Sequence, residues 1–311
     1  MEAFDVVIVG GGPASLSAAI YAGRAELRTL VLERLYVGGQ VAITWQVDNY
    51  PGFPEGVEGP ELIQRMEAQA KRFGTELRKE EVKRIDLDGL TKVTTTKGNV
   101  YRSPALILAT GADPRKLEVP GEDELRGRGV SYCGTCDAPF FRDKKVVVVG
   151  GGDAALKEAL FIARFAGLVT LVHRRDEFRA ERIYQSEVEK NPKIAVSFDT
   201  VVDRINGKDK VEGVTAHNVK TSETVEIPCD GVFIFIGHKP NTGFLCNLFP
   251  DQCMGEIETD FDMMTSVGGI FAIGDVRQHS YRQIATAVGE GATAAIAAEH
   301  WIAEHVGGDS H

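Results

Sequence analysis

Cys133 and Cys136 are separated by two residues, and Asp137 follows them directly. A C-x-x-C pair can close into a disulfide, and such motifs often lower the pKa of a thiol enough to supply thiolate near neutral pH. The carboxyl group of Asp137 could carry the proton that the dithiol gains or loses. The segment therefore predicts two-electron thiol–disulfide chemistry with a proton carrier beside it.

Other interpretations of the same segment remain open. A zinc site would need a second pair of ligands, and Cys229, Cys246 and Cys253 do not have that spacing. Two buried, unreactive thiols are a further alternative. For Asp137, a simple role in a turn or a helix cap also remains open.

Two segments of the chain share one pattern of apolar strand, glycine turn and helix. The strand at 4–9 leads into Gly10-Gly11-Gly12 and a helix ending near Arg24, and the strand at 145–149 leads into Gly150-Gly151-Gly152 and a helix ending near Ala166. A second short apolar strand follows each helix, so both segments are predicted to be βαβ units. Such glycine turns let a pyrophosphate approach the backbone at a helix N-terminus.

The residue that follows the second strand differs between the two units. In the first unit it is Glu33, whose carboxylate can accept hydrogen bonds from ribose hydroxyls and repels a 2′-phosphate. In the second unit it is His173, followed by Arg174 and Arg175, with Arg179 expected one helical turn further on. We expect these four residues to form a cationic cluster, because guanidinium groups bind phosphate dianions bidentately. The second site is therefore predicted to bind NADPH rather than NADH.

The first site has Ser15 where the third glycine of the pattern normally lies, and we expect some distortion there rather than loss of the site. FAD is the expected ligand. A dithiol exchanges electrons as thiolates and a nicotinamide delivers hydride, and a flavin couples the two chemistries.

Strands ending in Gly-x-x-Pro mark two points where the chain leaves one domain for another, at Gly111 and Gly237. The expected fold class is α/β, with two Rossmann-like dinucleotide-binding domains. The FAD domain is predicted to be discontinuous, at 1–114 and 245–311, with the NADPH domain and its C-x-x-C motif inserted at 115–244. Alternating residues at 92–101 and 210–227 predict antiparallel hairpins, and 307–311 is expected to be a loose tail.

Composition limits the class of protein further. The formal net charge is −10, which disfavours a surface for nucleic acid, and five cysteines in 311 residues do not make a disulfide framework. The first strand begins by Phe4 and leaves no room for a signal peptide, and no apolar stretch is long enough to span a membrane. We therefore expect a cytoplasmic protein with no membrane partner and no metal.

With these residues in view, the sequence resembles the low-molecular-weight, bacterial-type thioredoxin reductases over residues 4–302. The C-x-x-C motif and the segment from His173 to Arg179 resemble that family's redox and NADPH motifs. Gly38-Gly39-Gln40 and the segment 47–54 resemble its flavin-site segment. Gly274-Asp275-Val276 and Tyr281-Arg282-Gln283 resemble its closing FAD motif.

The resemblance implies distinct roles for the reactive residues. Cys136 would lie against the flavin, Cys133 would attack the disulfide of thioredoxin or a thioredoxin-like protein, and Asp137 would be the acid/base. The NADPH domain would rotate about the two chain crossings to expose the cysteine pair, and a homodimer is expected. Phe140 and Phe141 would meet the thioredoxin surface, with burial in the domain core as the alternative.

The resemblance also implies a set of cofactor contacts. For FAD they are Gly10, Gly12, Pro13, Ala14, Glu33, Gly39, Gln40, Asn49, Val82, Thr110, Gly111, Asp275, Arg282, Gln283 and Ile284. For NADPH they are Gly152, Asp153, Ala154, His173, Arg174, Arg175, Arg179 and Gly237.

Rival functions predict different residues. A ferredoxin-driven relative would have no use for the arginine cluster, and a peroxide-reducing relative would be expected to carry an additional thioredoxin-like domain ahead of the flavin domain. A flavin-dependent ferredoxin–NADP reductase, or a non-catalytic NADPH sensor, would have no reason to keep Cys133 and Cys136.

Overall fold

The computed structural model describes residues 1–44 and 46–305, and the chain divides into two compact units. Unit 1 comprises residues 1–113 together with the segment from Lys239 onward, and unit 2 comprises residues 114–238. The expected tail at 307–311 lies outside the described residues.

The two chain crossings lie close to the Gly-x-x-Pro segments. The first crossing, at 113/114, is next to the expected one, but the second falls after His238 rather than after residue 244. Asn241 accounts for the difference, because its backbone amide donates a 3.0 Å hydrogen bond to the carbonyl oxygen of Gly111 in unit 1. The residues after His238 therefore already belong to unit 1.

Among the described residues, the helices are α1 (Pro13–Arg24), α2 (Gly59–Arg72), α3 (Gly134–Asp137), α4 (Asp153–Ile162), α5 (Arg182–Lys190) and α6 (Ile284–His305). The strands are β1 (Glu2–Ala3), β2 (Val6–Val9), β3 (Thr29–Glu33), β4 (Gln46–Val47), β5 (Val57–Glu58), β6 (Glu76–Lys79), β7 (Val82–Asp88), β8 (Leu90–Thr95), β9 (Val100–Ser103), β10 (Ala105–Leu108), β11 (Ala112–Pro114), β12 (Val130–Ser131), β13 (Lys145–Gly150), β14 (Leu168–Val172), β15 (Ile194–Ser197), β16 (Thr200–Asn206), β17 (Gly213–Asn218), β18 (Thr224–Pro228), β19 (Gly231–Phe235), β20 (His238–Pro240) and β21 (Ile270–Ala272).

Unit 1 is built on a five-stranded parallel sheet in the order β21-β10-β2-β3-β6. Every residue of β2 and β10 is buried, as expected for central strands that are covered on both faces. Successive side chains along β2 and β10 point to opposite faces of the sheet. On one face they pack in an apolar cluster with α1, α2 and α6, and on the other face they pack in a cluster with the β7–β9 hairpins. This sheet holds the carboxyl ends of β2 and β10 at one edge, where the glycine turn begins.

Helix α1 is continuous despite Ser15, which is fully buried; among the described residues, its hydroxyl oxygen has no hydrogen-bond partner. Close packing of this helix depends on a glycine elsewhere. A Cβ atom on Gly291 of α6 would lie 2.3 Å from the carbonyl oxygen of Ala14, so the two helices approach at a position where only glycine fits.

Unit 2 repeats the design, with a five-stranded parallel sheet in the order β12-β19-β13-β14-β15. Strands β13, β14, β15 and β19 take the places that β2, β3, β6 and β10 hold in unit 1. The predicted βαβ repeat is confirmed, and so are the hairpins, at β8–β9 and β17–β18. No helix in the described part of the chain is both long and apolar enough to cross a membrane.

Candidate redox and nucleotide sites

The C-x-x-C motif lies in unit 2, where β12 turns into the short helix α3. Cys133 and Cys136 are joined by a disulfide, with their Cα atoms 5.3 Å apart. Cys133 caps the helix, because the backbone amide of Cys136 donates to its sulfur at 3.2 Å. The helix thus holds both sulfurs at its first turn, and the pair can accept two electrons and two protons as it opens.

Ser131 ties this turn together, although the sequence alone did not single it out. Its hydroxyl accepts a 3.1 Å hydrogen bond from the backbone amide of Cys133, and it also bonds to the carboxyl group of Asp137. Burial raises the pKa of Asp137, and the bond from Ser131 opposes part of that effect. A carboxyl group so placed is easier to keep protonated near neutral pH, as an acid beside a leaving thiolate requires.

Glu158 of α4 lies beneath the same turn. A Cβ atom on Gly134 would lie 2.0 Å from its Oε2 atom, so the glycine in the motif permits a close approach of the carboxyl group. Burial raises the pKa of Glu158, and its Oε2 atom has no hydrogen-bond partner among the described residues. No sequence motif predicts this residue, because its position depends on the packing of α4 against α3.

The two phenylalanines after the motif have different environments. Phe140 is 44% exposed. Phe141 instead packs edge-on against Phe233 at 5.2 Å and lies over Gly231, where a Cβ atom would come within 2.3 Å of the ring. Phe141 is therefore half-buried against the apolar core of unit 2, close to the alternative of burial, whereas Phe140 is exposed.

The glycine turn of unit 2 leaves space at one position and close packing at the others. Gly150 has φ of +156°, and a Cβ atom there would lie 2.5 Å from the carbonyl oxygen of Phe235. A Cβ atom on Gly152 would meet no atom within 4 Å. The backbone at Gly152 is therefore open to a ligand at the N-terminus of α4, where free N–H groups point outward.

Three further expected contacts surround this turn. Asp153 opens α4, and its carboxylate accepts a 2.7 Å hydrogen bond from the backbone amide of Glu181. Ala154 is exposed in the first turn of the helix. Gly237 follows β19 with φ of +108°, and its carbonyl oxygen accepts a 2.9 Å hydrogen bond from the backbone amide of Arg115.

His173 does not belong to a cationic cluster, which corrects the expectation from sequence. It is 6% exposed, lies against Gly151, stacks on Phe178 and makes a 3.1 Å hydrogen bond with the carbonyl oxygen of Glu177. Burial lowers its pKa, and the nearby arginines lower it further. The ring is therefore neutral near pH 7 and supports the glycine turn.

The three arginines remain exposed, and they define the basic surface of this site. Arg179 does not lie one helical turn after His173, because the chain forms bends over 174–180 and α5 begins only at Arg182. Its backbone amide instead donates a 2.8 Å hydrogen bond to the carbonyl oxygen of Gly151. The arginine loop is thereby attached to the glycine turn.

The glycine turn of unit 1 has the same plan. Gly10 has φ of +106°, and a Cβ atom there would lie 2.2 Å from the carbonyl oxygen of Ala109, whereas one on Gly12 would meet nothing within 4 Å. Pro13 begins α1 and Ala14 is buried behind it. Glu33, at the end of β3, accepts hydrogen bonds from the backbone amides of Gly11 at 2.7 Å and Leu35 at 2.9 Å.

A cavity of about 280 Å³ opens beside this turn. Its walls include Gly10, Glu33, Val82 and Thr110, four of the residues expected to contact FAD. The hydroxyl oxygen of Thr110 is buried, and within the described ranges it has no hydrogen-bond partner. Gly111, next to it, has φ of +69° and open space where a Cβ atom would lie.

Other expected FAD residues converge on the start of α1. The backbone amide of Gly38 donates to the carbonyl oxygen of Gly11 at 2.7 Å, which brings Gly39 next to Gly12, and Gln40 donates to Asp113 at 2.8 Å. In a separate pair, the side-chain amide of Asn49 donates a 3.0 Å hydrogen bond to Gln283, the residue before Ile284 at the start of α6.

Asp275 lies in a short 3-10 turn, Gly274–Val276, against Ala14 of α1. Burial raises the pKa of Asp275 to about 6; the charge of Arg282 lowers it and that of Glu290 raises it. Arg282 itself has φ of +54° and forms a 2.6 Å ion pair with Glu256. A partly buried carboxyl group with few partners is suited to accept hydrogen bonds from ligand hydroxyls.

These features test whether dinucleotides fit the two units. Both glycine turns leave open space at the helix N-terminus. Unit 1 adds a cavity lined by Thr110, whose buried hydroxyl oxygen has no hydrogen-bond partner among the described residues, and, outside that cavity, the largely buried carboxyl group of Asp275. Exposed guanidinium groups occur beside the turn in unit 2, whereas a carboxylate occupies the matching place in unit 1. The residues present therefore fit FAD in unit 1 and NADPH in unit 2.

A second disulfide, between Cys246 and Cys253 in unit 1, was missed from the sequence. The two residues are separated by a loop that brings their Cα atoms to 4.5 Å. Their spacing matches no metal or redox motif, so only the turn geometry of the loop reveals the pair.

Comparisons with known proteins agree with this arrangement. The family model for pyridine nucleotide-disulphide oxidoreductases matches residues 4–291. The thioredoxin reductase of Treponema pallidum is 49% identical, over 96% of this chain and 97% of that protein. A bifunctional thioredoxin reductase/thioredoxin of Mycobacterium leprae is 46% identical, over 97% of this chain and 67% of that protein.

The crystal structure of thioredoxin reductase from Streptococcus pyogenes matches with a TM-score of 0.92 and 43% identity, over 97% of this chain and 99% of that one. The chain therefore belongs to the pyridine nucleotide-disulphide oxidoreductases and, within them, to the thioredoxin reductase family. Members of this family are flavoprotein oxidoreductases that use FAD and NADPH.

Proposed function

We propose that this protein reduces the disulfide of thioredoxin or a thioredoxin-like protein, with NADPH as electron donor and FAD as carrier. The observation that carries the proposal is the Cys133–Cys136 disulfide at the first turn of a helix, in the unit that also has the glycine turn and the exposed arginines. The names of the relatives support the same substrate, and one of them joins reductase and thioredoxin in a single chain.

The two units have separate cofactor roles in this proposal. Unit 1 binds FAD through the glycine turn at Gly10–Gly12, the cavity beside it and Asp275. Unit 2 binds NADPH through Gly152 and the three arginines, since guanidinium groups suit a 2′-phosphate. The remaining cofactor contacts expected from the resemblance are part of the same proposal.

When bound, FAD would supply the chemistry that couples hydride donation by NADPH to two-electron reduction of the Cys133–Cys136 disulfide. The disulfide bond breaks and the two sulfurs gain two electrons. The thiolate of Cys133 then attacks one sulfur of the substrate disulfide and forms a mixed disulfide. Cys136 attacks Cys133, the substrate leaves as a dithiol, and Asp137 exchanges protons with the sulfurs in each half of the cycle.

The proposal also covers the setting of the protein. We infer a homodimer in the cytoplasm, where thioredoxin and NADPH are available to it. Phe140, exposed beside the cysteine pair, is the side chain that we assign to contact with the protein substrate.

Anaerobic titration of the FAD-loaded protein tests the proposal. NADPH should bleach the flavin absorbance at much lower concentration than NADH, and oxidised thioredoxin should then restore the oxidised spectrum. Absence of bleaching with either nicotinamide would refute the electron path, and bleaching that thioredoxin does not reverse would refute the acceptor.

The unequal roles of the two sulfurs need a separate experiment. Cys133→Ser should still accept electrons into the flavin and keep Cys136 as a thiolate, with a new long-wavelength absorbance band. Cys136→Ser should lack that band. If only Cys136→Ser produced the band, the two cysteines would have the opposite roles.

A further inference from the structure

The Cys246–Cys253 disulfide fixes a loop that forms part of the wall of the cavity in unit 1. Gly243, Phe244 and Met254 line this cavity, on the two sides of the disulfide in sequence. Gly10, Glu33 and Thr110 line the same cavity. The second disulfide therefore joins the two segments of the loop whose neighbouring residues line the cavity to which we assign part of the FAD.

One half of the loop is anchored without the disulfide. Leu245 and Phe249 are 1% and 4% exposed and pack into the apolar cluster behind the sheet. Between them, the side-chain amide of Asn247 donates a 2.7 Å hydrogen bond to the carbonyl oxygen of Ile85. Cys246 lies within this anchored half.

The other half of the loop depends on local turns. The backbone amide of Cys253 donates to the carbonyl oxygen of Pro250 at 3.4 Å, and that of Gly255 donates to Gln252 at 2.9 Å. Cys253 and Met254 are exposed. The disulfide joins this exposed half to the anchored half, and Thr242 holds its far end through a 2.9 Å hydrogen bond to the carbonyl oxygen of Gly255.

The Cys246–Cys253 disulfide helps to maintain an unfavourable backbone conformation at Met254. This residue has φ of +63°, a left-handed conformation that costs a non-glycine residue about 1 kcal/mol or more. The disulfide holds the residue before it and Thr242 holds the residue after it. Opening the disulfide would release one of these two restraints and allow the cavity wall at Met254 to move.

We propose that Cys246–Cys253 is an exchangeable disulfide whose reduction by a dithiol loosens the wall of the FAD cavity and weakens retention of FAD. This inference rests on the FAD site proposed above. Its reactant could be a small dithiol or the dithiol form of a thioredoxin-like protein, which is the product of the proposed reaction.

The exchange balances as two sulfur displacements. A thiolate of the dithiol attacks the sulfur of Cys253, which is an exposed residue. The bond to Cys246 breaks, and the sulfur of Cys246 leaves as a thiolate and takes up a proton. The sulfur of Cys246 lies 3.4 Å from the carbonyl oxygen of Gly243, which can accept a hydrogen bond from the new thiol. The second thiol of the reagent then displaces Cys253, so the protein gains two electrons and two protons and the reagent becomes a disulfide.

The experiment isolates this pair in a Cys133→Ser/Cys136→Ser background, in which dithiothreitol cannot act on the first disulfide. FAD-loaded protein is transferred to FAD-free buffer with or without dithiothreitol, and the fluorescence of released FAD is followed. Reduction should speed release about threefold to tenfold, because the closed loop loses its covalent restraint, and reoxidation should restore the slow rate. Equal release rates in both buffers would overturn the proposal.

Two further variants control for other thiols. Adding Cys246→Ser and Cys253→Ser to the same background should give fast release in both buffers, whereas adding Cys229→Ser should leave the effect of dithiothreitol unchanged. Slow release from the protein without Cys246 and Cys253 would contradict the proposed restraint.

Alkylation with mass spectrometry provides a measurement on the unaltered chain. After mild dithiothreitol treatment of folded protein, Cys246 and Cys253 should be alkylated while the buried Cys229 is not. Protection of both residues until the protein unfolds would show that the disulfide is purely structural. A chain that binds no FAD would refute the proposed function instead, and FAD release that ignores this disulfide would refute only the present inference.

Discussion

The backbone amide of Arg179 donates a 2.8 Å hydrogen bond to the carbonyl oxygen of Gly151. The other end of the same loop begins at His173, whose ring lies against Gly151 as well. Both ends of the arginine loop are thus attached to one residue of the glycine turn. This arrangement gives the exposed side chains of Arg174 and Arg175 a fixed base beside the N-terminus of α4.

Replacing Arg174, Arg175 and Arg179 with glutamine should selectively weaken the use of NADPH. Hydrogen bonds to charged groups contribute about 1.5–3 kcal/mol each, so the combined loss should lower kcat/KM for NADPH by about a hundredfold or more. The value for NADH should change by less than about threefold, since NADH has no 2′-phosphate. Steady-state kinetics with both nicotinamides measures the difference.

Arg204→Gln is the matched control for these three substitutions. Arg204 is also an exposed arginine of unit 2, but it lies on β16 in the antiparallel hairpin. The Arg204→Gln substitution should leave kcat/KM unchanged for both NADPH and NADH. Equal losses with NADPH and NADH in the triple variant would contradict a specific 2′-phosphate site.

Gly12→Ala should fold normally and lose FAD. The backbone at Gly12 has φ of −77°, which alanine adopts, and a Cβ atom there meets nothing within 4 Å. The methyl group would instead occupy space at the helix N-terminus where a pyrophosphate would lie. The absorbance ratio at flavin and protein wavelengths, with circular dichroism as a check of folding, reports this outcome.

Gly10→Ala is expected to behave differently. The backbone at Gly10 has φ of +106°, and a Cβ atom there would lie 2.2 Å from the carbonyl oxygen of Ala109. The substitution should therefore impair folding itself. Gly152→Ala, the equivalent of Gly12→Ala in unit 2, should retain FAD and raise the KM for NADPH. Normal FAD content in Gly12→Ala would place the cofactor elsewhere.

Asp275→Asn should stabilise the protein without FAD at alkaline pH. Because burial raises the pKa of Asp275 from 3.8 to about 6, stability from this group is full below its unfolded-state pKa and is lost as pH rises through about 6. Above about pH 6, the raised pKa lowers the free energy of unfolding by roughly 3 kcal/mol relative to acidic pH. Urea unfolding at pH 5 and pH 8 should therefore show a larger gain for the variant at pH 8.

The exposed Asp262→Asn provides the control and should give no such pH-dependent gain. The same Asp275→Asn variant should bind FAD more weakly, because a neutral amide is a poorer acceptor for ligand hydroxyl groups than a carboxylate. A gain that is equal at both pH values would contradict the effect of burial on Asp275.

Ser131→Ala should change the pH dependence of thioredoxin reduction. The hydroxyl of Ser131 lowers the pKa of Asp137 against the larger effect of burial, so its removal should raise that pKa further. The limb of the pH–rate profile that reports Asp137 should move to higher pH, and the folded protein should lose about 1 kcal/mol with the lost hydrogen bonds. Ser131→Thr, which keeps the hydroxyl group, should restore the original profile. An unchanged profile in Ser131→Ala would exclude Asp137 as the group that titrates.

Most of the fold could be predicted because its signals are local. The strand, glycine turn and helix occur in register twice, and each motif specifies its own βαβ unit by sequence spacing alone. The positions of Gly12 and Gly152 at helix N-termini follow from that spacing. The C-x-x-C pair is likewise a local signal, since one short turn brings both sulfurs together.

The features that could not be predicted from the sequence depend on contacts between residues that are distant in the chain. His173 reads as a cation in sequence, but it is neutral because it packs under Gly151 and against Phe178. Glu158 reaches the redox motif only through the packing of α4 against α3. Helix α1 can approach α6 closely only because residue 291 of α6 is glycine, and no motif in α1 predicts that residue.

The insertion of unit 2 into unit 1 also determines an order of events on the ribosome. When residue 238 has been synthesised, every strand of the unit 2 sheet is present, but unit 1 still lacks β21 and the helix α6 that packs on α1. Unit 2 can therefore fold while the nascent chain is still growing, whereas the apolar face of α1 must wait for α6. Chaperone demand during translation should accordingly be concentrated on the first 113 residues.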